Sequence, residues 1–140
     1  MPSPRGTSVV LNTGALGEVW ENVIQKRHVV LIPPRIHAQY LRDVSGTRSK
    51  YAGLRAQLEP IIDSLRLAGL VQERCPRAEA LNPNPRYHKP LFQYAVGGRA
   101  RFLVTEPRDW TGQRWRTFVA QFRASHGVSI VTPPDYIADP

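Results

Sequence analysis

The stretch from Arg108 to Arg123 holds the densest chemistry in the chain. Arg108-Asp109-Trp110 and Arg114-Trp115-Arg116, followed by Phe118, Phe122 and Arg123, interleave guanidinium groups with aromatic rings. Arginines contact phosphates and exposed rings stack on bases, so the pattern suits a nucleic-acid surface. Trp and Arg are also enriched where proteins dock on one another. Packing offers a third explanation: Trp115, Phe118, Val119 and Phe122 recur at helical spacing, which would bury them in one stripe and leave the arginines solvated. Packing takes precedence for Phe118, Val119 and Phe122, while Trp110 stays open between the readings.

A second cluster is Pro85-Arg86-Tyr87-His88-Lys89-Pro90. His88 between Tyr87 and Lys89 has the chemistry of a general base or a metal ligand. His28, His37 and His126 are scattered through other segments and complete no ligand set with it, so a solvated or hydrogen-bonded histidine is the simpler reading. Cys75, the single cysteine, lies in Arg74-Cys75-Pro76-Arg77. Basic neighbours lower a thiol pKa, but the sequence supplies no base beside it, and nucleophilic catalysis is not expected there. Glu106 and Asp109 are close enough in sequence to act as a carboxylate pair if the loop bends that way, but an ion pair of Asp109 with Arg108 or Arg114 takes precedence.

Nineteen Lys and Arg against eleven Asp and Glu give a formal charge of +8 over 140 residues, which favours a polyanionic partner. The length fits one domain, and 41% hydrophobic residues suffice for a core. One cysteine excludes an intramolecular disulfide framework and a Cys-rich zinc site. No apolar stretch reaches the roughly 20 residues of a membrane span, and the first six residues lack the apolar core of a secretory signal. The expected protein is soluble and cytoplasmic, with residues 1–7 a flexible N-terminus and residues 8–140 one domain.

These groups need a scaffold, and the hydrophobic pattern describes one. Ser8 to Leu11 reads as a buried strand ending at Asn12-Thr13-Gly14, with Asn12 foremost a helix cap. Leu16, Val19, Trp20, Val23 and Ile24 follow at helical spacing. His28 to Ile32 is a second strand, stopped by Pro33-Pro34 before a helix expected to bury Ile36, Tyr40 and Leu41, with Val44 a further candidate. A helical stretch with Tyr51, Leu54 and Leu58 leads to a helix started by Pro60 that carries Ile61, Ile62, Leu65 and Leu67 and closes at Gly69. Leu70 to Glu73 is a third strand and Cys75 to Lys89 a loop. Leu91 to Val96 forms a short helix, Phe102 to Val104 a strand, Thr111 to Ala124 a helix and Val128 to Val131 the last strand. Beyond it, Tyr136 and Ile137 are expected to pack back on the body. Alternation of this kind implies a mainly parallel sheet of about five strands in a three-layer α/β/α domain, with its site at the carboxyl ends of the strands.

Four segments resemble PIN-domain proteins, in particular those that serve as toxins of toxin-antitoxin systems. They are Ser8-Val9-Val10-Leu11-Asn12-Thr13-Gly14-Ala15-Leu16, Leu31-Ile32-Pro33-Pro34, Ala95-Val96-Gly97-Gly98 with Phe102-Leu103-Val104-Thr105, and Ile130-Val131-Thr132-Pro133. Order and spacing agree from Ser8 to Ile137. The resemblance implies a magnesium- or manganese-dependent ribonuclease whose acids gather at the carboxyl edge of the sheet. It also implies a possible homodimer and an antitoxin-like protein partner.

This chain departs from the family at those acids. Asn12 stands where the first strand commonly ends in Asp, and Gln39 where the family usually has Glu. His88 and its neighbours replace a run of Asp residues, and Glu106-Pro107-Arg108-Asp109 replaces Gly-Asp-x-Asp, so Pro107 occupies a former acidic position. Neutral amides keep shape but lose the charge that neutralises a divalent cation, and added cations repel it. The expectation is therefore a degenerate PIN-like domain, with no cofactor or metal, that binds RNA or DNA through Arg86, Lys89, Arg108, Trp110 and Arg114. One alternative is an active Mg- or Mn-dependent endoribonuclease working through Glu106 and Asp109, with Asp109 the metal ligand. The other is a protein-interaction module of a toxin-antitoxin-like system. None of these readings involves a membrane.

Overall fold

The computed structural model describes residues 6–46, 48–85, 87–106 and 112–140. Five strands form one sheet: β1 (Ser8–Leu11), β2 (Val29–Leu31), β3 (Val71–Gln72), β4 (Phe102–Val104) and β5 (Ser129–Val131). Their order is β3-β2-β1-β4-β5, and all four pairings are parallel. Six helices connect and flank them: α1 (Thr13–Lys26), α2 (Pro34–Ser45), α3 (Leu58–Leu67), α4 (Lys89–Gly97), α5 (Gly112–His126) and α6 (Pro133–Ala138). The expected α/β class and three-layer arrangement are present, with the sheet entirely rather than mainly parallel.

Central position explains β1. Val9, Val10 and Leu11 have no exposed surface, because β2 and β4 flank the strand and helices cover it. A strand buried on both faces needs a continuous apolar run rather than alternation, and Val-Val-Leu supplies it. Right-handed crossovers put α1 and α4 on opposite faces, since the chain leaves β1 toward β2 and later returns past it to β4. α1 packs with α3 and α6. On α4, Phe92 meets Phe118 and Phe122 of α5 edge-on, with ring centroids 5.7 and 5.3 Å away. Phe118 and Phe122 are thus core residues, as the packing reading requires.

Several expected core positions are corrected by helical phase. α2 buries Ile36, Gln39, Tyr40 and Val44, whereas Leu41 is 45% exposed. Leu41 lies about 100° around the helix from Tyr40, outside the inward stripe. α3 buries Leu58, Ile61, Ile62 and Leu65, a complete i, i+3, i+4, i+7 face. Leu67 is about 200° from Leu65 and stands 90% exposed. Ile137 is likewise exposed while Tyr136 beside it is buried. α3 begins at Leu58, two residues before Pro60, since a proline in the first turn removes only an N–H that has no helical acceptor. Tyr51 caps and Leu54 ends a single 3-10 turn, Ala52–Leu54, in place of a longer helix.

The loop from β3 to α4 is held against the body by close backbone approach. A Cβ on Gly97 would lie 2.1 Å from the Pro76 carbonyl oxygen, so only glycine admits the loop here. Ala78 N–H donates to the Gln93 carbonyl at 3.0 Å nearby. This anchorage delivers His88 and Lys89 to the start of α4. Of the expected flexible N-terminus, residues 1–5 lie outside the described residues, and the Thr7 carbonyl already accepts from Val29 N–H at 2.8 Å.

Candidate functional site at the carboxyl edge

Asn12 leaves β1 at its carboxyl end and starts α1. Its Oδ1 accepts from Ala15 N–H at 2.8 Å, the helix-capping bond read from the sequence. Its Nδ2 donates to Thr105 Oγ1 at 2.6 Å, tying the end of β1 to the residue after β4. Backbone pairing continues alongside, with Asn12 N–H donating to the Val104 carbonyl at 3.1 Å. Asn12 is buried, and both ends of its amide are engaged.

Gln39 reaches the same edge from α2. As an isolated sequence position it reads as a solvated helix residue, but it is only 6% exposed. Its Nε2 lies 3.2 Å from His88 Nδ1. That contact makes Nδ1 the acceptor of a Gln39 N–H when the imidazole is neutral. His88 has φ +55° immediately before α4, a left-handed backbone that turns the chain into the helix. One residue on, the Lys89 ammonium is exposed.

Two contributors to this edge escaped the sequence reading. Asp43 lies one turn beyond Gln39 on α2, and its Oδ2 accepts from Thr13 Oγ1 at 2.6 Å. Tyr40 donates its hydroxyl proton to the Leu11 carbonyl at 2.7 Å, fixing α2 to the end of β1. Complete burial raises the Tyr40 phenol far above its ordinary range, so it stays protonated and donating. The usable signal was the spacing of Gln39 and Asp43, four residues apart on one helix face.

Glu106 follows Thr105 but faces a different place. It lines a groove of about 420 Å³ with Gly14, Gly17, Glu18, Lys50, Tyr51, Gly53 and Leu54. Gly14 lets the Tyr51 ring lie on α1, since a Cβ there would come within 2.9 Å of the ring. Two carboxylates and one ammonium therefore share this groove. Asp109, Arg86, Pro107, Arg108 and Trp110 lie outside the described residues. Arg114 is exposed near the start of α5.

The donor set bears on metal chemistry. Hard divalent cations take several oxygen ligands, usually with more than one carboxylate. Asn12 and Gln39 each offer one neutral carbonyl, and that of Asn12 already accepts a backbone N–H. Among the described residues no three His, Cys, Asp or Glu side chains converge to hold an ion. Asn12 and Gln39 on their own therefore do not supply the anionic oxygens that such a cation takes. Cys75 is no better as a nucleophile, because partial burial raises its thiol pKa. Among the described residues no helix is long and apolar enough to cross a membrane.

The carboxyl edge thus holds the Asn12–Thr105 and Gln39–His88 pairs, the Asp43 carboxylate on Thr13 and an exposed Lys89. No protein-family model, curated protein or solved structure matches the chain.

Proposed function

We propose that the protein is a degenerate PIN-like domain that binds RNA or DNA at the carboxyl edge of its sheet without metal-dependent turnover. The observation that carries this reading is the hydrogen bonding of Asn12 and Gln39. At two positions where the resembled family has carboxylates, this chain has amides engaged with Thr105, Ala15 and His88. Lys89 and Arg114 are exposed cations on the two helices that follow the site loops, and the net charge of +8 favours a polyanion. In this reading they hold phosphates together with Arg86 and Arg108, and Trp110 stacks on a base.

One observation favours the ribonuclease alternative: Glu106 shares its groove with Glu18, giving two carboxylates on one wall system. Fluorescence anisotropy with labelled single-stranded RNA, with electrophoresis of the same samples, decides between them. Binding should weaken steeply with salt, persist in chelator and fall at least about tenfold in the double variant Lys89→Glu/Arg114→Glu. Cleavage that requires Mn²⁺ and vanishes in Asp109→Asn would replace binding with catalysis. Unchanged affinity in the charge-reversed variant would overturn the proposed surface.

A further inference from the structure

The amino end of the sheet, opposite the site loops, carries a second group of cations. The turn from α1 into β2 supplies Lys26, Arg27 and His28, and the turn from α4 into β4 supplies Arg99 and Arg101. Both turns flank the start of β1, where Val29 N–H donates to the Thr7 carbonyl and Arg101 N–H to the Ser8 carbonyl, each at 2.8 Å. Two strand spacings, about 10 Å, therefore separate the backbones of His28 and Arg101. Their side chains meet on one ring: the Arg101 guanidinium is 5.1 Å and the His28 ring 6.2 Å from the Phe102 centroid. The Lys26 ammonium stands 5.1 Å from the centroid of Tyr136, whose ring lies 5.7 Å from those of His28 and Phe102. Two buried rings thus gather an imidazole, an ammonium and a guanidinium.

The charge of this group is not matched by carboxylates. Arg27, Arg99 and Arg101 are exposed, and none has an ion-pair partner among the described residues. Lys26 donates to the Asp139 carbonyl rather than to its carboxylate. Burial, then the Lys26 and Arg101 charges, lower the His28 pKa, and Asp139 opposes them with a smaller effect, so the local field is positive. Arg27 and Arg99 have φ of +57° and +56°, a left-handed backbone that glycine adopts freely and arginine does not. The C-terminal dipoles of α1 and α4 offset part of that cost for a cation.

His28 also has a donor to give. The Tyr136 hydroxyl, 2.7 Å from His28 Nδ1, has no other acceptor among the described residues and donates there. Burial, reinforced by Asp139, raises the Tyr136 phenol far above its ordinary range, which keeps that proton in place. The neutral imidazole then carries its own proton on Nε2. This nitrogen makes no hydrogen bond among the described residues and reaches solvent.

We infer that the amino end of the sheet binds a phosphate group, to whose oxygens His28 Nε2–H, the Lys26 ammonium and the Arg101 guanidinium donate. Arg27 and Arg99 add attraction from the two turns. A phosphate has an oxygen for each of the three donors and the negative charge that the cations lack. An acidic peptide is the weaker occupant, because Phe102 and Tyr136 are buried and leave its side chains no apolar surface to cover. The inference stands independently of the carboxyl-edge reading, which uses other cations at the opposite ends of the strands.

The test is NMR of the histidine rings in the full chain, titrated with inorganic phosphate at constant pH and ionic strength, with chloride as the control anion. His28→Gln assigns the His28 signals. A saturable shift of those signals is expected with phosphate and not with chloride, and Arg101→Gln should weaken binding at least about fivefold. Unchanged thermal melting of Arg101→Gln shows that the fold is intact. The variant Lys89→Glu/Arg114→Glu should bind phosphate as the unmodified chain does, which separates this site from the carboxyl edge. Displacement of phosphate from that variant by an oligouridylate identifies a phosphodiester chain as the source of the group, and retention identifies a free or terminal phosphate. Absence of a saturable shift, an equal response to chloride, or unchanged affinity in Arg101→Gln would each overturn the inference.

Discussion

At the amino end of the sheet, His28 lies between Phe102 and Tyr136, stacked on the first ring and edge-on to the second. Its Nδ1 is 2.7 Å from the Tyr136 hydroxyl. Lys26 caps the arrangement, 5.1 Å from the Tyr136 ring centroid and donating to the Asp139 carbonyl. At the carboxyl end, His88 instead meets a glutamine amide and lies beside an exposed lysine. The first histidine joins the C-terminal helix to the core through aromatic surface, so its ring is part of the packing. The second makes a polar contact beside a solvent-facing lysine. Residue type alone does not separate these roles; the neighbours contributed by distant segments do.

Substituting Tyr136 should break the amino end most severely. Tyr136→Ala removes a buried ring contacted by His28, Phe102 and Lys26, and a loss of about 3–5 kcal/mol in urea unfolding is expected. At the carboxyl end Asn12→Ala removes a helix cap and the bond to Thr105, and a loss of about 1–3 kcal/mol is expected by the same measurement. A cost below about 0.5 kcal/mol would show that the edge is not held by this amide.

A pH titration sharpens the contrast further. Burial, then the Lys26 and Arg101 charges, hold His28 below its ordinary value of 6.5, with Asp139 opposing them. The folded protein therefore binds fewer protons here than the unfolded chain. This contribution to stability is complete above the unfolded value and is lost as pH falls through the lower folded value. His28→Gln should flatten that acid limb of the stability profile, while Gln39→Ala should leave it in place. The smallest effect is expected from Gln39→Ala itself, about 0.5–1.5 kcal/mol, because the lost bond lies partly open to solvent.

Strands and helices were legible in the sequence because their burial is nearly complete. Val9-Val10-Leu11 and Phe102-Leu103-Val104 are apolar throughout, as a doubly covered parallel sheet demands. The errors fell at Leu41 and Ile137, which are apolar yet out of phase with their buried neighbours. Asn12 as a cap was also legible, since the cap bonds within four residues of itself. Its bond to Thr105 spans 93 positions, and Gln39 to His88 spans 49. Such pairs depend on sheet order, which local periodicity does not encode. Glu106 illustrates the same limit: it lines a groove with Glu18 and Lys50, which lie far from it in the sequence.

Because β1 occupies the middle of the sheet, half of its lateral bonding waits for residues made much later. The first 72 residues contain β1, β2 and β3, which are neighbours and can assemble as soon as they emerge. The β4 side of β1 and the contacts it makes with α4 stay unmade until translation has passed Val104. A nascent chain in that interval exposes an apolar strand edge, the condition under which newly made proteins associate or engage chaperones. Pulse proteolysis of ribosome-bound chains should therefore show protection of β1 in two steps, the second only after β4 has left the exit tunnel.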